Sequence, residues 1–278
     1  MHRMARWLAA ARETAVGASQ VLGRHDVFVL AAAIAYAAIL SFFPLVIGFI
    51  ALVSRFIDPA SAEQVIVRVL TPGLPPVVIG MVRETLDAAI RARVTAGVLA
   101  ILGLLWAATG GMSFLRDGLN RILDAQEVQP LWRITGIELT MVATGGALIV
   151  ISVIGSAAVA FLGRVPAVAG PADALRQSPL WLLATDVGAW ILSGTAFVVV
   201  YRFLPDRRVR RTSLIAGGLV ASVLFEVTKR LFFWYLLTLG RYPLIYGPLA
   251  GVMVFIVWIY VTALVTLAGA AVIRLREG

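Results

Sequence analysis

Long stretches without charge set the pattern of this chain. Residues 27–54 hold no charge between Asp26 and Arg55, and neither do residues 94–115 between Arg93 and Arg116. The run 134–163 carries Glu138 near its start, and 177–201 carries Asp186. The run 212–240 carries Glu226, Lys229 and Arg230, and 242–273 is again charge-free. About 20 apolar residues in a helix cross roughly 30 Å of hydrocarbon. The six runs therefore predict six transmembrane helices, an all-α polytopic membrane bundle over 27–273. The first run is too long for the apolar core of a secretory signal and has no small-residue cleavage site behind it, so it is expected to stay in the protein.

Two segments outside these runs also show helical spacing. In residues 1–26, Met4, Trp7, Leu8 and Ala11 share one face while Arg3, Arg6 and Arg12 fall mostly elsewhere. That pattern predicts an amphipathic N-terminal helix lying on the cytoplasmic leaflet; the alternative is a disordered basic tail. In the loop 55–93, Pro72, Gly73, Pro75 and Pro76 separate two helical patterns. Val78, Met81, Val82, Leu86 and Ile90 stripe the second, with Arg83, Asp87 and Arg91 four residues apart. Such an extracytoplasmic loop would cap the bundle or cover a cavity mouth.

Composition supports the membrane reading. Of the 278 residues, 60% are AVILMFWYC and 14% are charged, against roughly 45–50% and about 25% in soluble proteins. Cysteine is absent, which excludes disulfides, thiolate zinc sites and a cysteine nucleophile. The two histidines, His2 and His25, both precede the first apolar run. No metal site and no cofactor is expected. The net charge of +9 comes almost wholly from arginine, with Lys229 the sole lysine. In a membrane protein such arginines mark cytoplasmic loops facing anionic lipid, and nucleic acid is not an expected partner. Fourteen arginines fall on the side that holds both termini and eight on the other, which places the termini, including the tail 274–278, in the cytoplasm.

The fifth run holds the sharpest chemical signal. Glu226, Lys229 and Arg230 share one helical face, with Ser222 and Gly218 successive turns away on it. Fourteen Leu, Ile, Val and Phe residues in 213–239 offer about −6 kcal/mol of insertion free energy, while three central charges cost about +8. This helix therefore needs neighbours or an aqueous cavity. Asp186 of the preceding antiparallel run is expected at the depth of Lys229 and Arg230. The group is either an internal ion network that fixes helix register or a polar cavity that binds an anionic head group or relays protons. In the first run Pro44 removes the hydrogen bond to the Leu40 carbonyl and is expected to kink the helix, with Ser41 at hand for the backbone and Tyr36 on nearly the same face. Gly145, Gly146, Gly155 and Ser156 in the third run, and Gly188, Ser193, Gly194 and Thr195 in the fourth, permit close helix approach and are compatible with an oligomer.

Enzyme chemistry finds no footing here. There is no Walker A motif, no H-E-x-x-H and no G-x-S-x-G. A carboxylate dyad of Asp186 and Glu226 would sit beside two cations that keep both ionised.

Four stretches, in order, resemble the YihY/BrkB family of bacterial inner-membrane proteins, formerly labelled ribonuclease BN-like. They are 31–56 with Tyr36, Ser41 and Pro44; 118–133 with the loop motif Asn120 and Arg121, then Pro130 and Trp132; 201–236 with Pro205, Gly217, Glu226 and Lys229; and 246–270 with Tyr246, Gly247 and Trp258. One position departs from the family pattern: Gly269 and Ala270 are followed by Ala271, where the family usually has glutamate. The resemblance implies a role in envelope biogenesis, with binding or translocation of an anionic lipid or other amphiphile as the leading function and a non-transporting scaffold for envelope assembly as the alternative. It brings no support for ribonuclease activity.

Overall fold

The computed structural model describes residues 13–14, 16–53, 79–80, 83–84, 96–125, 129–130, 132–141, 144, 179–238 and 250–277. Among them are seven helices and no strand: α1 (Val16–Arg24), α2 (Val27–Val53), α3 (Ala96–Leu123), α4 (132–141), α5 (Pro179–Phe203), α6 (Arg211–Thr238) and α7 (Ala250–Glu277). The all-α expectation holds. Met4, Trp7, Leu8 and Ala11, most of the loop 55–93 and the third run beyond residue 144 lie outside the described residues.

Helix ends depart from the charge boundaries in instructive ways. The second apolar run ends at Leu115, yet α3 continues to Leu123. Leu119, Ile122 and Leu123 are spaced by three and four on one face and are fully buried, so packing carries the helix past Arg116 and Arg121. Asn120 and Arg121, expected in a loop, therefore sit in the last turn of a helix. The stop is a Schellman-type cap. Asp124 takes a left-handed conformation (φ 48° at Asp26, 47° here). The Ala125 amide then donates to the Asn120 carbonyl (2.9 Å) and the Asp124 amide to the Arg121 carbonyl (3.4 Å). Asp26 makes a similar turn between α1 and α2, which bend by 68°. At the other end of the chain, α7 runs to Glu277 and takes most of the expected tail 274–278 into the helix. Arg274 and Arg276 suit the negative end of its dipole. Glu277 in turn accepts from Ser213 Oγ (2.6 Å) and the Arg210 amide (3.2 Å), placing a carboxylate at the start of α6.

Helix α7 is the centre of the arrangement. It packs against α2, α3 and α6, while α2 packs on α3 and α5 on α6. Phe42 and Phe255 join α2 to α7 with ring centroids 4.5 Å apart, and Trp258 gathers Phe225, Phe232 and Phe233 of α6. Close approach of α5, α6 and α7 depends on two glycines. A Cβ on Gly217 would overlap Ile273 and lie 2.8 Å from the Gly269 carbonyl oxygen. A Cβ on Gly269 would overlap the Tyr201 hydroxyl, which is buried and donates to the Thr266 carbonyl at 2.7 Å.

The outer faces are apolar. On α6, Ile215, Leu219, Val223, Val227 and Leu231 recur every four residues and are all exposed; on α5, Val187, Ile191, Val199 and Phe203 are exposed on one such row, with Thr195 between them. Among the described residues α7 alone is long and apolar enough to cross a membrane by itself, and α1 with Val27–Phe42 passes only as one broken span. Five of the six expected runs coincide with long helices.

Candidate functional site

The polar group of the fifth run sits where α5 and α6 touch. Gly218 lies against Val198, and Gly194 lies 3.6 Å from Ser222 when given a Cβ, so small residues let the two helices close up. That closeness brings Ser193 of α5 to the acidic face of α6. Glu226 is 3% exposed. Its Oε2 meets Lys229 Nζ at 2.7 Å and its Oε1 accepts from Ser193 Oγ at 3.3 Å. Ser193 Oγ and Ser222 Oγ are 3.0 Å apart, and both lie within reach of the Trp190 carbonyl, at 3.2 and 3.1 Å. Each hydroxyl has one hydrogen to give. One arrangement that uses both has Ser222 donating to Trp190 and Ser193 donating to Glu226.

Lys229 also lies over the Phe225 ring, 5.7 Å from its centroid. Arg230 is exposed. Position 186 lies two turns before Gly194 on α5, and position 230 two turns beyond Ser222 on antiparallel α6, so the register carries Asp186 opposite Arg230; the Asp186 side chain is outside the described residues. The structure thus brings Ser222, Glu226 and Lys229 together in contact. Ser193, flagged by sequence only as a small residue, is the hydroxyl that completes the group.

The first-run residues are placed elsewhere. α2 continues as a helix on both sides of Pro44. Ser41 is buried against Gly110 and Gly111 of α3, and Tyr36 is 66% exposed.

A second polar cluster, on the side with the arginines, joins α3 to the turn between α5 and α6. Arg116 Nη2 meets both carboxylate oxygens of Asp206, at 2.5 and 2.6 Å. The Asn120 side-chain amide donates to the same carboxylate at 2.7 Å, and the Asp206 amide donates back to Asn120 Oδ1 at 2.9 Å. Asp206 is 8% exposed. Arg207 and Arg274 both donate to the Leu123 carbonyl, at 2.8 and 3.1 Å. Arg274 also pairs with Asp124, and His25 Nε2 lies 3.5 Å from the same carboxylate. Sequence reasoning singled out Asn120 without its purpose. Asp206 was missed because an acid in an arginine-rich turn reads as solvated, and the only clue was its place beside Pro205 between two apolar runs.

Comparison with known proteins adds the following. A family model described as Virulence factor BrkB matches residues 18–277. The chain is similar to the UPF0761 membrane protein of Chlorobium luteolum, 28% identical over 251 residues that cover 90% of this chain and 57% of that one. It is similar to the UPF0761 membrane protein of Pseudoalteromonas atlantica, 28% identical over 260 residues, 91% of this chain and 82% of the relative. A shorter match, 40% identical over 82 residues, links 30% of this chain to 19% of a UPF0761 membrane protein of Janthinobacterium. The chain thus spans little more than half the length of the Chlorobium relative. No solved structure matches it.

Proposed function

The chain belongs to the Virulence factor BrkB family, with membrane proteins as its relatives, and on that premise we propose that it is a six-span protein of the bacterial inner membrane that binds or translocates an anionic lipid or similar amphiphile. Helices of 25–28 residues, such as α5 and α6, are about 38–42 Å long, enough for roughly 30 Å of hydrocarbon. Their exposed apolar stripes suit lipid contact. The arginine asymmetry orients both termini to the cytoplasm.

This orientation has a direct test, because the native chain has no cysteine. Ala88→Cys should react with an impermeant maleimide in intact cells, and Arg208→Cys only after permeabilisation. The reverse pattern would invert the topology, and labelling of both in intact cells would break the span count.

The observation that carries the lipid reading is the buried Glu226 carboxylate holding Lys229 beside Arg230 on a helix with an apolar outer face. These cations lie about five residues from the middle of α6, some 7 Å off the midplane. A lipid phosphate can meet them there while its tails stay in hydrocarbon. Glu226 then serves as the resident counter-ion that an incoming phosphate replaces. In liposomes the protein should accelerate exchange of a fluorescent anionic phospholipid between leaflets, and Lys229→Ala with Arg230→Ala should abolish it with helicity unchanged. One observation favours the scaffold reading instead: Glu226 is already satisfied by Lys229 and Ser193, as a purely structural ion pair would be. Failure of the wild type to exchange or bind any anionic lipid would decide for the scaffold.

A further inference from the structure

Glu138 is the most deeply buried acid among the described residues, 1% exposed, and nothing in the proposed lipid site uses it. It lies on α4, six residues from the 77% exposed Trp132, so about 9 Å along the helix from its first residue. Ser113 of α3 donates to its Oε1 at 3.0 Å, and among the described residues this is its one hydrogen bond. Among the described residues no cation is in contact with it. The contrast with the other buried acids is plain: Glu226 holds Lys229, and Asp206 holds Arg116. An ionised carboxylate out of water with a single hydroxyl donor is costly, whereas a neutral carboxyl in the same place keeps that bond and asks only for an acceptor for its own hydrogen.

The charged groups that face Glu138 are Arg116 and Asp117, both on α3. Ser113 and Arg116 are three residues apart and share a face with the acid. Among the described residues, Arg116 engages Asp206 through Nη2 alone. Its Nε and Nη1 hydrogens are left to serve a second carboxylate, as a five-donor guanidinium can.

We propose that Glu138 is a proton-binding site, with Arg116 as the cation its ionised form engages. In its neutral form the carboxyl rests on Ser113. On release the proton passes to water on the cytoplasmic side, the nearer one in the orientation given above. The carboxylate left behind draws on the free edge of the Arg116 guanidinium while Asp206 keeps the other. The result is a carboxylate–guanidinium–carboxylate bridge from α4 through α3 to the turn between α5 and α6. Occupancy of one proton thereby sets whether α4 is tied to that turn. This goes beyond the lipid reading and stands whether or not the protein moves lipid.

The test is infrared difference spectroscopy on the 278-residue chain in lipid nanodiscs, stepped between about pH 6 and pH 9, where ordinary carboxyls stay ionised. The wild type should show a carbonyl stretch of a protonated carboxyl at the acid end that disappears at the alkaline end. Glu138→Gln, which keeps the shape and the Ser113 bond, should lack that band. Ser113→Ala should move it to higher wavenumber, because the carbonyl loses its donor. A band absent at every pH, unchanged at every pH, or present in Glu138→Gln overturns the proton site. Hydrogen exchange over the same steps checks the bridge. After correction for the intrinsic rate, protection of α4 should rise with pH in the wild type and not in Glu138→Gln, and equal protection in the two removes Arg116 from the proposal.

Discussion

Gly269→Ala should destabilise the purified protein by about 3 kcal/mol, while Gly188→Ala, an identical change on α5, should be neutral or better. The added methyl at Gly269 has nowhere to go. It would overlap the Tyr201 hydroxyl, lie 2.9 Å from the Ala221 Cβ and 3.0 Å from the Gly217 carbonyl oxygen. Two of these three neighbours belong to α6, and one is backbone, which cannot swing aside. If Tyr201 moves instead, its hydroxyl leaves the Thr266 carbonyl and a buried polar group is stranded. At Gly188 a new Cβ meets nothing within 4 Å, so only the helix preference of alanine remains. Thermal unfolding in detergent, followed by circular dichroism, compares the two. Equal melting of Gly269→Ala and the wild type would mean that α5, α6 and α7 are not packed at this distance.

Asp206→Ala is the second change with a large expected effect, about 3–5 kcal/mol. The side chains of the Arg116–Asp206 pair are 11% and 9% exposed, so removing the acid leaves a guanidinium and the Asn120 amide without their shared acceptor. Most of the loss comes from that stranded charge rather than from the attraction itself. The diagnostic is therefore the double variant. Arg116→Met with Asp206→Ala should melt above Asp206→Ala alone, although it has lost more contacts. A double variant less stable than the wild type by the full sum of the two single changes would show that the two side chains do not depend on each other.

Much of the helical layout was legible because the apolar runs are long and charge marks their edges. The edges themselves were read too tightly. Arg116 and Arg121 looked like the end of a span, yet Leu119, Ile122 and Leu123 bury themselves and draw the helix onward. Sequence cannot weigh a paired arginine against a solvated one, since the partner lies 90 residues away in Asp206. The α5–α6 polar group was half legible. Spacing alone put Glu226 next to Lys229, because i,i+3 neighbours on a helix always meet. Ser193 was not visible in that role, since it depends on the depth at which α5 meets α6, and Gly194 and Gly218 set that depth. Glu138 shows the same limit from the other side: a glutamate near the start of an apolar run reads as interfacial until α3 is seen to cover it.

The order of the helices in space has a bearing on biogenesis. α2 packs on α3 and α5 on α6, so each pair can assemble as it leaves the ribosome. Neither pair completes a shared interior until α7 is made, because α7 is the element that touches α2, α3 and α6. Of the seven helices the last translated is thus the keystone, and until it arrives Glu226 and its neighbours sit in a pair that is still open on one side. Docking of α7 and closure of the interior are therefore one event, and abundance becomes a readout of it.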